Sequence, residues 1–299
     1  MAFKLKKPNA FDVFNVILFS ILCVLMLYPL WSVFMTSMIT PAENAQRAFI
    51  LWPHEIVWSS YTFVFATDRF PRSFAVTTFV TLASTLFQLV ITTTCAYALT
   101  KETVPGYKII MALLVATMFF SGGLIPWFLM IRAMGMNNTL WPLIIGSMGF
   151  INFAIVRAFI KQIPEGLEES ALIDGASELR IFFAIILPLS KPVIAVIALW
   201  VAVGAWNSFF GALLFLTARP DLHTLQLLLR QMIVDQTAGT GLGPGAEMVY
   251  RIRFGHDAVI FPEGIRSAAI IVVTVPLLLI FPFLQKYFVR GIYLGSMKG

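Results

Sequence analysis

Five carboxylates, Glu165, Glu168, Glu169, Asp174 and Glu178, crowd into fourteen positions of a 299-residue chain in which only 12% of residues are charged. The chemistry such a run offers is charge-based docking. Pro164 suits the first turn of a helix, where its missing N–H costs nothing. Glu165, Glu168 and Glu169 then sit near the helix N-terminus, where negative charge is favoured by ~0.3–1 kcal/mol each. Leu167, Ala171 and Asp174 share a face by their i, i+4, i+7 spacing. Gly175 can adopt positive φ and stop the helix, and Ser177 can cap the next one. The spacing therefore predicts a helix of ~15 Å, at 1.5 Å per residue, followed by a tight turn. Small residues at Ala171, Gly175 and Ala176 would admit another backbone. Lipid-surface helices favour Lys and Arg on their polar face, so an acidic face points to a protein partner.

Other chemistry is hard to place in this chain. The apolar stretches 73–100, 109–131, 137–156, 192–218 and 267–285 hold no Asp, Glu, Lys, Arg or His. Ion-coupled carriers keep ionisable groups at membrane depth to bind the coupling ion. Backbone carbonyls could still hold sodium, but a proton-driven carrier is disfavoured. There is no Gly-rich phosphate loop ending in Gly-Lys-Ser/Thr, so ATP is not bound by that route. His54, His223 and His256 are far apart, and neither paired cysteines nor a His-Glu-x-x-His run accompanies them. No Gly-x-Ser-x-Gly elbow is present, and the stretches hold no Ser/His, paired Asp or zinc constellation for hydrolysis within the membrane. The expectation is a pathway with no catalytic residue, metal or cofactor of its own, whose free energy comes from elsewhere through the acidic segment.

The elements that must position this segment are membrane spans. The chain is 59% hydrophobic with a mean hydropathy of +0.86, which a soluble surface could not tolerate. About twenty helical residues cross a ~30 Å hydrocarbon core. Six stretches qualify, at 14–39, 73–99, 109–131, 139–160, 187–217 and 267–287. Runs this long without period-2 alternation are helices, so the fold class expected is an all-α polytopic membrane protein. The first run is too long for a cleavable signal core and reads as a retained span. Cys23 and Cys95 fall inside spans and imply neither disulfide nor metal. Six spans put both termini on one side, and all the lysines fall there. Positive residues mark the cytoplasmic side, so both termini are expected in the cytoplasm. The net charge of +6 is then a topology signal and no mark of nucleic-acid binding. The outer loop 218–266 carries an apolar helical stripe of Leu222, Leu225, Leu228, Leu229, Met232 and Ile233, followed by a glycine-rich turn. It reads as a helix packed on the bundle or as a docking loop.

Glu169-Ser170-Ala171, then Gly175, then Ile185 and Leu187-Pro188, match in type and spacing the EAA signature of ABC-importer permeases. Ser170 stands where Ala is usual, a small-for-small change. Asp174-Gly175-Ala176, Pro188 to Pro192, Phe120 to Pro126, Trp206-Asn207 and the tail Val289 to Gly299 also resemble the carbohydrate-uptake branch, similar to the maltose-type second permease. The resemblance implies a type I importer permease: one transmembrane domain over 1–299, with a cytoplasmic coupling segment at 164–187, an external loop at 218–266 and a cytoplasmic tail at 288–299. It implies that Glu165, Glu168, Glu169, Ser170, Ala171, Asp174, Gly175 and Ala176 couple to an ATPase subunit, which the tail residues Gly295, Lys298 and Gly299 also reach. It implies a second homologous permease, two ATPase subunits carrying ATP and Mg, and an extracytoplasmic solute-binding protein, all at the bacterial cytoplasmic membrane. The external loop would approach the binding protein.

A sugar path needs aromatic platforms and hydrogen-bonding groups. Trp206 and Asn207, with Trp127 and Gln88, offer these, although polar and small residues also serve as contacts between helices. Alginate-type and other uronate oligosaccharides are one cargo class the branch admits. Arginines outside would suit carboxylates, but loop acids nearly balance them. An ion-coupled sugar carrier, and an ABC permease for another solute, are the alternatives.

Overall fold

In a bilayer every backbone polar group must be satisfied within the protein, and an α-helix does this locally. The computed structural model describes residues 9–47, 50–66, 69–120, 122–146, 149–234 and 261–296, with backbone alone beyond Leu279. All regular elements among them are helical. In chain order they are α1 (Ala10–Thr36), α2 (Pro41–Gln46), α3 (Ser59–Ala66), α4 (Arg69–Ala98), α5 (Tyr107–Phe119), α6 (Leu124–Ala133), α7 (Trp141–Ile145) and α8 (Phe150–Ile160). Then come α9 (Glu165–Ile173), α10 (Glu178–Ile181), a π-helical turn (Phe182–Ile186), α11 (Leu187–Leu189), α12 (Lys191–Asn207), α13 (Phe210–Phe215), α14 (Leu225–Val234) and α15 (Pro262–Ser296).

The chain divides into two compact units, Met1–Asp68 with Gln231–Thr274, and Arg69–Arg230 with Val275–Gly299. In the first unit α1 buries only Met35. That residue joins Ile39, Ile50 and Phe261 in a small core. Ser37 and Tyr61 share a 2.8 Å hydrogen bond, and the Trp31 indole donates to the Leu51 carbonyl at 2.9 Å.

The second unit holds the acidic segment. Its centre is α4, which packs against α7, α8 and α12. The packed face of α4 is rich in small residues, Ser73, Thr77, Thr81, Ser84, Thr92 and Ala96 among them, which let neighbouring backbones come close. Several hydroxyls on this apolar helix are satisfied by its own carbonyls, as when Thr77 donates to Ser73 at 2.8 Å and Thr93 to Leu89 at 2.7 Å. The core behind the acidic segment joins Tyr97, Phe153, Val156, Ile181, Phe182, Ile186 and Ile197.

By length and composition, three helices among the described residues can cross a membrane, or up to five if each bent pair counts once. The stretches expected as single spans are often broken. The stretch 109–131 divides into α5 and α6, with Gly123 in the left-handed region at φ 81°. The stretch 139–160 divides into α7 and α8, with Gly146 at φ 23° after the first. The stretch 187–217 divides into α11, α12 and α13. The helical segment from Glu178 to Leu189 meets α12 at 78°, so the acidic side of this joint runs across the direction of α12.

Candidate functional site

The acidic segment folds as its spacing dictates. Pro164 stands at the N-cap of α9, one position before the first turn, and Glu165 and Glu168 lie in that turn. The helix stops in a two-bond C-terminal motif. The Gly175 N–H reaches the Leu172 carbonyl at 3.0 Å and the Ala176 N–H reaches Ala171 at 2.9 Å, as in a Schellman turn. Gly175 sits at φ 79°, and nothing lies within 4 Å of where its Cβ would be. Its need is conformational: an L-residue there costs about 1–2 kcal/mol. The Ser177 hydroxyl then accepts the Arg180 N–H and caps α10.

No residue of α9 is buried. Leu172, Ile173, Leu179 and Phe183 all face outward, Ile173 at 86% exposure. Beside them is a groove of about 240 Å³ lined by Ala171, Asp174, Ala176, Arg180, Ile181 and Ala184 among others. Ser170 turns its hydroxyl back to the Gly166 carbonyl at 2.7 Å, so its polarity is absorbed within the helix. Glu169 and Asp174 carry no ion pair among the described residues.

This exposed helix is nonetheless clasped. The Lys101 ammonium donates to both carboxylate oxygens of Glu178, at 2.7 and 2.6 Å, and lies 3.5 Å from Glu168. The Tyr97 hydroxyl donates to Glu178 at 2.8 Å. One cation at the end of α4 thus binds carboxylates on both sides of the Gly175 turn. The Lys101 bond, and secondarily the Tyr97 hydroxyl, hold the Glu178 carboxyl below its ordinary value of 4.5. Burial pushes the Lys101 ammonium down, but the Glu178 bond and the neighbouring groups outweigh it, and the net shift is upward from 10.5. The Arg157 guanidinium braces the same corner, donating to the Leu99 carbonyl at 2.7 Å and the Tyr107 hydroxyl at 2.6 Å. Tyr97, Lys101 and Arg157 escaped the sequence reading as members of this site. The available signal was the scarcity of charge, which makes each of these two cations worth placing against an acceptor.

The expected path residues differ in their settings. Trp206 is buried, 6% exposed, and meets Phe74 edge-on at 5.9 Å. Asn207 is exposed and donates to the Val203 carbonyl at 2.9 Å, while its oxygen accepts from Gln226 at 3.3 Å. Successive helical residues are turned by about 100°, which separates these two neighbours. The tryptophan on the Asn207 side is Trp200, seven residues earlier and 47% exposed. Gln88 is half-buried, with its amide nitrogen 3.3 Å from where a Cβ on Gly146 would stand. Trp127 is half-buried on α6. Gly295 lies on the backbone of α15, whereas Lys298 and Gly299 lie outside the described residues, as do positions 235–260 of the outer loop. Among the described residues no three His, Cys, Asp or Glu side chains are grouped for a metal.

Comparison with known proteins gives this geometry its setting. Residues 68–293 match the family described as binding-protein-dependent transport system inner membrane component. Protein LplC of Bacillus subtilis (strain 168) is 39% identical over 297 residues, covering 98% of this chain and 97% of that protein. The polygalacturonan/rhamnogalacturonan transport system permease protein YtcP of the same organism is 38% identical, covering 95% of each. A chain from the crystal structure of a bacterial ABC transporter involved in the import of the acidic polysaccharide alginate superimposes with a TM-score of 0.85 at 29% identity, over 96% of this chain and 100% of that one. The fold is thus that of a type I ABC permease, and an ion-coupled carrier is not favoured. With its several apolar helices, the chain is a multi-pass membrane protein and belongs to the family of inner membrane components of binding-protein-dependent transport systems.

Proposed function

We propose that the chain is the permease subunit of a bacterial ABC importer that moves an oligo- or polysaccharide across the cytoplasmic membrane. The observation that carries this reading is the form of the acidic segment: a solvent-facing helix and glycine turn, held at the end of α4 by Tyr97 and Lys101. A partner that pushes on such a helix moves α4 with it, and α4 packs on α12. The names of two similar proteins, which concern alginate import and polygalacturonan transport, support an acidic polysaccharide fragment as the cargo. In this reading α9 and the 240 Å³ groove receive an ATPase subunit. Glu165, Glu168, Glu169, Ser170, Ala171, Asp174, Gly175 and Ala176 form the contact, and Gly295, Lys298 and Gly299 add to it. Two ATPase subunits hold ATP and Mg, a homologous permease completes the pathway, and a solute-binding protein delivers cargo from outside. Six spans put α9 and both termini in the cytoplasm, within one transmembrane domain whose tail is 288–299.

The test is ATP-driven uptake by the full complex in proteoliposomes. Glu169→Lys is expected to cut uptake by more than about tenfold, because reversing a charge at a docking surface costs several kcal/mol. Full uptake by an assembled Glu169→Lys complex would overturn the coupling assignment.

A further inference from the structure

The far end of α12 carries a second polar cluster that the coupling role does not use. Asn207 ends α12, and at 17 residues and 1.5 Å per residue it stands about 25 Å along that helix from the acidic segment's side. Its amide oxygen accepts from Gln226 on α14 at 3.3 Å. Arg230, one helical turn beyond Gln226, lies on the same face of α14. Its guanidinium sits 5.4 Å from the centroid of the Phe209 ring, two residues after Asn207. Two side-chain pairs, Asn207 with Gln226 and Phe209 with Arg230, therefore link the end of α12 to α14, and Asn207 and Phe209 are exposed.

The arginine of this cluster is placed differently from Arg72 and Arg219. Arg72 and Arg219 share Asp221, at 3.5 and 2.8 Å. Arg230 has no carboxylate partner among the described residues. An aromatic ring covers one face of its guanidinium, while its edge donors form the planar fork that suits a carboxylate. A charge so placed is costly against acyl chains, so this face meets water or protein. Asn207 and Gln226 keep donors for hydroxyl groups. Trp200, on the same side of α12 as Asn207, supplies a second exposed ring further along the helix.

We propose that Arg230, Phe209, Asn207 and Gln226 form a contact that reads the carboxylate and ring of a uronate unit in the cargo. This rests on the acidic-polysaccharide reading above. Arg230 holds the carboxylate, Phe209 stacks on the sugar, and the amides take its hydroxyls.

The experiment measures ATP-driven uptake of trigalacturonate by the complete importer in proteoliposomes, with assembly checked by co-purification of all subunits. Arg230→Gln is expected to lower uptake about tenfold, the loss of one charge-assisted hydrogen bond, and Arg230→Lys to retain more of it. Asn207→Asp, which sets a like charge beside the contact, is expected to fall similarly, and it keeps the test open if Arg230→Gln fails to assemble. Unchanged uptake in the assembled variants, or equal losses for Gln and Lys at 230, would overturn the uronate contact alone. A wild-type complex that imports no trigalacturonate would overturn the acidic-cargo reading and this contact with it.

Discussion

Lys101 holds the acidic segment by ionic contacts whose pH window can be derived. Glu178 is depressed below 4.5, so its contribution is complete above that value and lost as pH falls through the depressed one. Lys101 is raised above 10.5, so its contribution is complete below 10.5 and lost only as pH rises through the higher value. The clasp should therefore be constant between about pH 5 and 10. Sugar imported per ATP hydrolysed, measured across that range, is expected to show no break attributable to this corner. Lys101→Met should lower that ratio about two- to fivefold, since partly exposed ion pairs are worth up to ~1 kcal/mol, while ATP hydrolysis continues. An unchanged ratio would mean that the clasp carries no force. Gly175→Ala should strain the turn by about 1–2 kcal/mol and reduce uptake without displacing any neighbour, because the space around Gly175 is open. The five carboxylates and the glycine stop were legible from spacing alone. The clasp was not, because Lys101 and Glu178 are 77 residues apart and a sequence shows charges without their partners. Trp206 was expected beside Asn207 as an aromatic platform of the path; in the structure it is buried against Phe74, whereas Trp200 is exposed.

Between the acidic helix and α12 the chain departs from regular helix in a way the apolar pattern conceals. Pro188 offers no N–H to the Ala184 carbonyl, and its ring crowds that group. The preceding turn relaxes to a π turn, with the Leu187 N–H reaching back to the Phe182 carbonyl. The pattern was expected as a regular helix running through Phe182 and Phe183 towards Pro188 and into the span at 187–217, so neither this turn nor the 78° bend was expected. Deleting Ala184 should remove the extra residue of the π turn and rotate α10 by about 100° against α12. That would swing Glu178 away from Lys101, and uptake is expected to be lost while the variant still reaches the membrane. Normal uptake would show that the register of this joint is unimportant. The breaks inside other expected spans have a similar origin. Glycines at 123 and 146 adopt backbone angles that a hydropathy window cannot register, because such a window weighs transfer energy and is blind to φ.

Across the whole chain the apolar stretches were readable because the bilayer leaves so few solutions. Their lack of ionisable groups also set the functional expectation. Vesicles holding this chain alone should accumulate no sugar under a proton or sodium gradient, whereas the complete complex with ATP should. Accumulation by the chain alone would contradict an importer powered from outside it. The proposed points of force and of cargo contact lie at opposite ends of α12, so one rigid helix links them. The Lys101 clasp also has a history in time. Its Glu178 partner is made 77 residues later, a delay of about 4 to 15 s at ~5–20 residues per second. During that interval the lysine is an unpaired cation beside a newly inserted span, able to act as a retention signal that keeps its loop from being translocated. Once Glu168 and Glu178 emerge, the same charge is neutralised and becomes a joint. In the proposed reading one residue first directs how the chain is threaded and later transmits the stroke, so a neutral substitution there should also raise the fraction of chains inserted upside down.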